Sequence, residues 1–175
     1  MLKIGIYGRC TEDNLSFDSA LLIKTLQSKK CSVSIHSAFF EFLKKNAGLE
    51  GEFSTFRNHA ELKESAEYLI SLGGDGTLLE TLSYIRDTEI PVLGVNTGRL
   101  GFLATISEDE ISQMIDQLLN KDFNIEERGL LRLDEPSALF REYNYALNEI
   151  TLSKLDSTML TIHAYVDGEF LNSYW

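Results

Sequence analysis

The sequence predicts an α/β fold in which helices cover a parallel sheet, followed by the beginning of an antiparallel all-β domain. Three observations lead to this prediction. Short apolar runs alternate with segments of helical periodicity as far as residue 121, which is typical of a parallel sheet. Later runs alternate apolar and polar residues and lack the helical period. Glycine-rich loops follow two of the early runs, as expected where a ligand binds at a sheet edge. We therefore predict two domains, at residues 1–121 and 122–175.

Strands and helices are predicted in turn along the first domain. Brief apolar runs predict buried strands, at residues 2–7, 31–36, 66–72 and 90–96. Apolar residues at helical spacing predict helices, at residues 15–30, 39–46, 77–87 and 107–122. Residues 49–65 fit neither pattern. The alternation predicts a Rossmann-like sheet.

Two of these helices carry additional signals. The helix over 77–87 has an apolar face composed of Leu78, Leu79, Leu82 and Ile85. The helix over 107–122 begins with Ser107 and has Glu110 three residues later, the spacing of a capping box. Its apolar stripe contains Ile111, Met114, Ile115, Leu118 and Leu119.

The second domain is predicted to contain about four strands, within residues 123–135, 143–154 and 158–175. Asp167-Gly168 lies between two alternating runs, which predicts a two-residue hairpin. The last run still has a strand pattern at Tyr174-Trp175. We therefore expect the natural chain to continue beyond Trp175.

The composition argues against several classes of partner. The net charge is −11, from 16 basic and 27 acidic residues, and nucleic acids or anionic membranes need a basic surface. A small anion can still bind to a local nest of backbone N–H groups.

Cys10 and Cys31 suggest neither a disulfide framework nor a zinc site, and no metal-ligand spacing is present. The sequence has no signal-like start and no membrane-length apolar run, so we expect a cytoplasmic protein.

The first glycine loop is Gly73-Gly74-Asp75-Gly76-Thr77, between a predicted strand and a predicted helix. Glycine lets a ligand approach the backbone closely, and unpaired N–H groups at a helix start suit a phosphate. The loop is neither a P-loop nor a dinucleotide G-x-G-x-x-G loop. Asp75 could take a proton from an attacking hydroxyl or help to hold Mg²⁺, and both roles indicate phosphoryl transfer. The alternative is an aspartate that only caps the helix.

The second glycine loop, residues 94–104, follows the next strand and should lie at the same edge. Asn96, Thr97 and Arg99 offer hydrogen-bond donors. Gly98 and Gly101 allow a ligand to approach closely. Phe102 could stack on a base, although an aromatic residue of the core is the alternative.

Together, three segments resemble signatures of the NAD kinase family. They are "LGGDGTLL" at 72–79, "GVNTGRLGFLA" at 94–104 and "LNEITL" at 147–152. "GGDGT" alone is shared with diacylglycerol, sphingosine and 6-phosphofructo kinases, whereas the other two segments are more specific. The resemblance covers the chain from about residue 68 onward. It implies phosphorylation of the adenosine-ribose 2′-hydroxyl of NAD⁺ to give NADP⁺, with Mg-ATP or polyphosphate as donor and Mg²⁺ carried by the donor phosphates.

The resemblance also implies roles for individual residues. Asp75 would be the general base, and Gly73, Gly74, Gly76 and Thr77 would shape the phosphate-facing turn. Phe102 would contact the ligand. Asn148 and Glu149 would hydrogen-bond the dinucleotide. On a regular strand, however, successive side chains point to opposite faces. Either the backbone is irregular at these two residues, or only one of them, for which we favour Asn148, contacts the ligand.

The chain departs from the family in one respect. A fourth signature, an aspartate-glycine pair followed by a "TPTGSTAY"-like loop, should begin just beyond Trp175. We therefore expect these 175 residues alone to bind NAD⁺ weakly or not at all and to turn over slowly.

Two other functions remain open from the sequence. One is a lipid kinase of the diacylglycerol or sphingosine type, which the acidic composition and the lack of a membrane-facing segment disfavour. The other is a non-catalytic nucleotide-binding module. The resemblance further implies a homo-oligomer, a dimer or tetramer, in the complete protein.

Overall fold

A five-stranded parallel sheet forms the centre of the N-terminal part of the chain. The computed structural model describes residues 1–12, 14, 19–98, 101–136, 140, 143–153, 155 and 159–175. The sheet strands are β1 Lys3–Gly8, β2 Ser32–His36, β3 Ser54–Phe56, β4 Tyr68–Leu72 and β5 Val92–Val95. Their order is β3-β2-β1-β4-β5, and every neighbouring pair is parallel. The predicted Rossmann-like sheet is confirmed.

In the described part of the chain, five helices with defined bounds connect or follow these strands: α1 Ser19–Ser28, α2 Ser37–Asn46, α3 His59–Ser65, α4 Asp75–Ile85 and α5 Ile111–Asn120. The four predicted helices are present, although the predicted start of the first, at residues 15–18, lies outside the described residues. Residues 49–65, for which the sequence predicted nothing, contain β3 and α3. Asn58 caps α3 by accepting a hydrogen bond from the Glu61 N–H at 3.0 Å.

The sheet is buried on both faces, as a parallel sheet with crossover helices must be. Ile4 and Ile6 of β1 point into one cluster together with side chains from α1, α2 and α5. Tyr7 of the same strand points into a second cluster, which contains Phe56 and Leu62. Because side chains alternate along β1, its two faces serve two cores.

Helix α4 packs on the sheet through small residues. Thr77 and Thr81 are its buried residues, and the Thr81 hydroxyl donates to the Leu78 carbonyl at 2.6 Å. The predicted leucine face is only half-buried, and Leu79 and Leu82 line a cleft described below. Leu78 lies against Gly94 of β5 and Ile85 packs on the second core cluster, so the predicted face is divided between the sheet side and the cleft.

The predicted capping residues of α5 do meet. The Ser107 N–H and hydroxyl both donate to Glu110 Oε2, at 2.9 and 2.7 Å. The first turn, Glu108–Glu110, is a 3₁₀ turn. Met114, Ile115 and Leu118 of the predicted stripe are buried.

The strands of the second part are shorter than predicted. β6 Leu131–Arg132 pairs with β7 Tyr145–Ala146, and β8 Ile162–Val166 pairs with β9 Glu169–Tyr174. Both pairs are antiparallel. Positive φ angles of 53° at Asp167 and 85° at Gly168 confirm the hairpin turn. The backbone between residues 147 and 153 forms bends and irregular structure instead of the predicted strand.

None of the helices among the described residues has the length and apolar character to cross a membrane.

Candidate active site

The candidate site lies where β1 and β4 end side by side. Strands β2 and β3 lie on one side of β1 in the sheet, and strands β4 and β5 lie on its other side. This arrangement makes the gap between β1 and β4 the topological switch point, where open α/β sheets bind ligands. The register pairs Gly8 with Leu72. The residues that follow, Arg9 and Gly73, therefore enter the same edge.

The first glycine loop turns sharply into α4. Gly73 has a φ of +148°, a value that L side chains rarely adopt. A Cβ atom at this position would also overlap the side chain of Thr77. Gly74 is the N-cap residue of α4, and its carbonyl accepts from the Thr77 N–H at 2.9 Å. These contacts place Asp75 at the first position of the helix, beside its free N–H groups.

The Asp75 carboxylate binds the second glycine loop. Oδ2 accepts from the Phe102 N–H at 2.8 Å, and Oδ1 accepts from the N–H groups of Leu103 and Ala104 at 2.8 and 3.0 Å. These three bonds hold the pKa of Asp75 below its ordinary value, and the bond from Ala104 has the largest effect. A carboxylate has about four lone-pair sites, so about one remains for a ligand.

Gly101 lets the two loops meet. A Cβ atom on Gly101 would overlap the Asp75 carboxylate. The absence of a side chain at this position therefore allows residues 102–104 to wrap around Asp75. The predicted proximity of the two glycine loops is seen in the structure as a direct contact.

The remaining residues of the second loop differ in their surroundings. Asn96 is buried. Its Nδ2 donates to the Ala104 carbonyl at 3.3 Å and its Oδ1 accepts from the Gly98 N–H at 2.8 Å, so its amide holds the shape of the loop. Phe102 is 94% exposed, which excludes the alternative of a core aromatic. Arg99, also a predicted site residue, lies outside the described residues.

Asn148 and Glu149 line a cleft of about 680 Å³ between α4 and the segment around β7. Tyr7, Glu80 and Tyr84 form part of the opposite wall. Both residues line the cleft because the backbone is bent at 147 and 148. Of the two possibilities left by the sequence, the irregular backbone is the one observed.

A further group at this edge was missed in the sequence. Arg9 Nε and Nη2 donate to the two oxygens of Glu80 at 2.9 and 2.5 Å, and the Tyr7 hydroxyl donates to Glu80 Oε2 at 2.9 Å. The hydrogen bond from Arg9 is the main cause of the lowered pKa of Glu80. The pKa of Tyr7 is raised, mainly by burial and secondly by its hydrogen bond to Glu80. The position of Arg9 directly after a buried strand was the available signal.

The described residues contain no group of three or more His, Cys, Asp or Glu side chains that could hold a metal ion. Mg²⁺ usually needs only one or two protein carboxylates when substrate phosphates supply other ligands. Asp75 has about one lone-pair site left, which could serve either as a ligand to such an ion or as the acceptor for a substrate hydroxyl, but not as both at once.

The sheet order, the glycine turn at the switch point and the adjoining cleft define an α/β nucleotide-binding domain. A family model, the ATP-NAD kinase N-terminal domain, matches residues 21–123. The chain belongs to this family, as the three quoted segments predicted.

Individual relatives agree with this assignment. The chain is 43% identical over 166 residues to an NAD kinase of Cytophaga hutchinsonii, covering 94% of this chain and 56% of the relative. It is 39% identical over 177 residues to an NAD kinase of Flavobacterium psychrophilum, covering 99% of this chain and 60% of the relative. The chain thus spans less than two thirds of the length of these curated relatives.

A solved structure has the same fold. The crystal structure of yeast NADH kinase complexed with NADH matches with a TM-score of 0.71 and 19% identity, covering 99% of this chain and 55% of the yeast chain. At this identity, the likeness concerns the fold alone.

Proposed function

We propose that this chain is part of an NAD kinase that transfers a phosphoryl group from Mg-ATP or polyphosphate to the adenosine-ribose 2′-hydroxyl of NAD⁺, producing NADP⁺. The observation that carries the proposal is the Asp75 carboxylate, held at the switch point by three backbone N–H groups. Family membership and the names of the relatives support the choice of substrate.

In the proposed reaction, the 2′-hydroxyl oxygen forms a bond to the terminal phosphorus of the donor. The bond between this phosphorus and the bridging oxygen breaks, and ADP or a shortened polyphosphate leaves. The hydroxyl proton passes to Asp75, whose free lone-pair site accepts the hydroxyl hydrogen bond. Because the three N–H bonds lower the pKa of Asp75, it is ionised at neutral pH but is a weak base. Its main contribution is therefore to orient the hydroxyl, which suits a reaction that depends mostly on positioning.

The glycine turn is the proposed donor side of the site. Gly73, Gly74, Gly76 and Thr77 shape the start of α4, where free N–H groups and the helix dipole favour phosphate. Mg²⁺ bound with the donor neutralises phosphate charge.

The cleft is the proposed dinucleotide side. Asn148 can both donate to and accept from a base edge, and Glu149 can accept from ribose or base donors. The exposed ring of Phe102 offers a stacking surface beside Asp75. Asn96 supports this arrangement from within the loop, and Arg99 is a further proposed contact. We also propose slow turnover by these 175 residues, because the relatives are much longer.

The test is NADP⁺ formation by the purified chain at high concentration. The chain is incubated with NAD⁺ and either Mg-ATP or Mg-polyphosphate, and NADP⁺ is detected by enzymatic cycling. Parallel reactions contain diacylglycerol or sphingosine in vesicles with labelled ATP. NADP⁺ in either donor arm supports the proposal and identifies the donor. Labelled lipid without NADP⁺, or NAD⁺ binding without any product, would contradict it.

A further inference from the structure

The side chain of Arg9 lies over the first glycine loop. Its Nη2 donates to the Gly76 carbonyl at 3.4 Å. A Cβ atom built on Gly76 would lie 3.5 Å from both Nη1 and Nη2. Since Gly76 has no side chain, the guanidinium lies directly against the backbone of the first turn of α4.

The guanidinium is held in a fixed orientation. Glu80 accepts from Nε and Nη2 in a bidentate pair, and the Tyr7 hydroxyl donates to the same carboxylate. These contacts use two of the three guanidinium nitrogens, and the N–H groups of Nη1 donate to no described residue. The side chain of Arg9 is 47% exposed, so a ligand can reach Nη1.

The backbone of Arg9 is fixed as well. Asn14 is 1% exposed, and its Nδ2 donates to the Arg9 carbonyl at 2.7 Å and to the Leu72 carbonyl at 3.3 Å. One amide therefore ties the end of β1 to the end of β4. Asn14 Oδ1 is buried and has no hydrogen-bond partner among the described residues. Buried polar atoms normally have a partner, so this edge holds an acceptor for a water molecule or a ligand donor group.

We propose that Arg9 binds the phosphate chain of the phosphoryl donor through Nη1, with Glu80, Tyr7 and Asn14 as positioning residues. The proposal rests on the proposed function for the identity of the donor, but the chemistry recognised is the phosphate chain shared by Mg-ATP and polyphosphate. In a chain with a net charge of −11, a polyanion needs a local cation. Arginine, held by one carboxylate and free on its other edge, supplies charge-assisted hydrogen bonds to phosphate oxygens.

The experiment measures the affinity of the whole 175-residue chain for tripolyphosphate and for Mg-ATP by titration calorimetry, without requiring turnover. Arg9→Gln removes the charge, and Arg9→Lys keeps the charge but not the forked geometry. Arg128→Gln is the matched control, because Arg128 is also paired with a carboxylate, at 2.9 Å, and is 50% exposed.

Arg9→Gln is expected to weaken both ligands by about ten- to a hundredfold, the range for charge-assisted hydrogen bonds. Arg9→Lys should fall between Arg9→Gln and the original chain. Arg128→Gln should change either affinity by less than about twofold, as expected for an exposed charge whose ion-pair partner is Glu126 and not a residue of the glycine loops. A loss for both ligands would support recognition of the shared phosphate chain by Arg9, and a loss confined to Mg-ATP would contradict it. Thermal melting checks that each variant folds. If Arg9→Gln does not fold, Arg9→Lys decides the question.

Equal affinities for the Arg9→Gln and Arg128→Gln variants, or no saturable tripolyphosphate binding by the original chain, would overturn the proposal. Its failure is distinguishable from that of the proposed function. NADP⁺ formation with unchanged donor affinity in Arg9→Gln would reject only the role of Arg9. Weakened donor binding in a chain that phosphorylates a lipid but not NAD⁺ would support Arg9 and reject the NAD kinase reaction.

Discussion

Replacing Asp75 with asparagine should loosen the second glycine loop. The carboxylate accepts three backbone hydrogen bonds, two at Oδ1 and one at Oδ2. Asparagine has only one acceptor oxygen. Its NH₂ group takes the place of the second carboxylate oxygen and would face a backbone N–H group, with which it cannot form a hydrogen bond. In the better orientation, the bonds from Leu103 and Ala104 survive and that from Phe102 is lost.

The size of this effect follows from the bond that is lost and from the missing charge. A hydrogen bond to a charged group is worth about 1.5–3 kcal/mol, and the half-exposed position favours the lower part of this range. A loss of about 2 kcal/mol in the free energy of loop opening corresponds to about thirtyfold faster exchange of the affected amides.

Amide hydrogen exchange measured by NMR tests this directly at residues 102–104. The matched control is Asp116→Asn in α5, which removes an exposed aspartate paired with Lys29 at 2.8 Å. Exchange at Phe102 should accelerate in Asp75→Asn and stay unchanged in the control. Equal exchange rates at all three amides in both variants would refute the idea that Asp75 holds the loop.

Three further outcomes are expected from unfolding experiments. Gly73→Ala should destabilise the chain by about 1–3 kcal/mol, because alanine at a φ of +148° is strained and its Cβ overlaps Thr77; an unchanged denaturation midpoint would contradict this. Asn58→Ala should lower the free energy of unfolding by about 0.5–2 kcal/mol because the α3 cap is lost, whereas Asn58→Asp should retain most of the stability. The low pKa of Asp75 stabilises the folded state fully above the ordinary value of 3.8, and this contribution disappears as the pH falls through the folded-state pKa. The stability gap between the original chain and Asp75→Asn should therefore shrink on acidification; a gap that widened would contradict the assignment.

The sequence predicted those parts of the fold that depend on local patterns. Apolar runs and helical periods located β1, β2, β4, β5 and the four longest helices. β3 and α3 were not predicted because they are short, at three and seven residues. A short element contains too few repeats of its apolar pattern to be recognised.

The sequence named candidate site residues but could not predict the contacts among them. Asp75 and residues 102–104 are 27 to 29 positions apart, and Arg9 and Glu80 are 71 apart. No local pattern encodes such contacts, which appear only when the parallel sheet brings its strand ends together. The alternation expected of a strand also made Asn148 and Glu149 seem incompatible, and the bent backbone removed this difficulty.

The most direct test of the central claim compares NADP⁺ formation by the original chain and by Asp75→Asn under identical concentrations of NAD⁺ and Mg-ATP. Loss of a general base that also positions the hydroxyl should lower the rate by about 10²–10⁴-fold. Thermal melting and NAD⁺ binding, measured on the same samples, separate a catalytic defect from unfolding. A large loss of rate with NAD⁺ binding retained is the predicted result. NADP⁺ formation at an equal rate in the two proteins would contradict the account of Asp75 as the residue that carries the reaction.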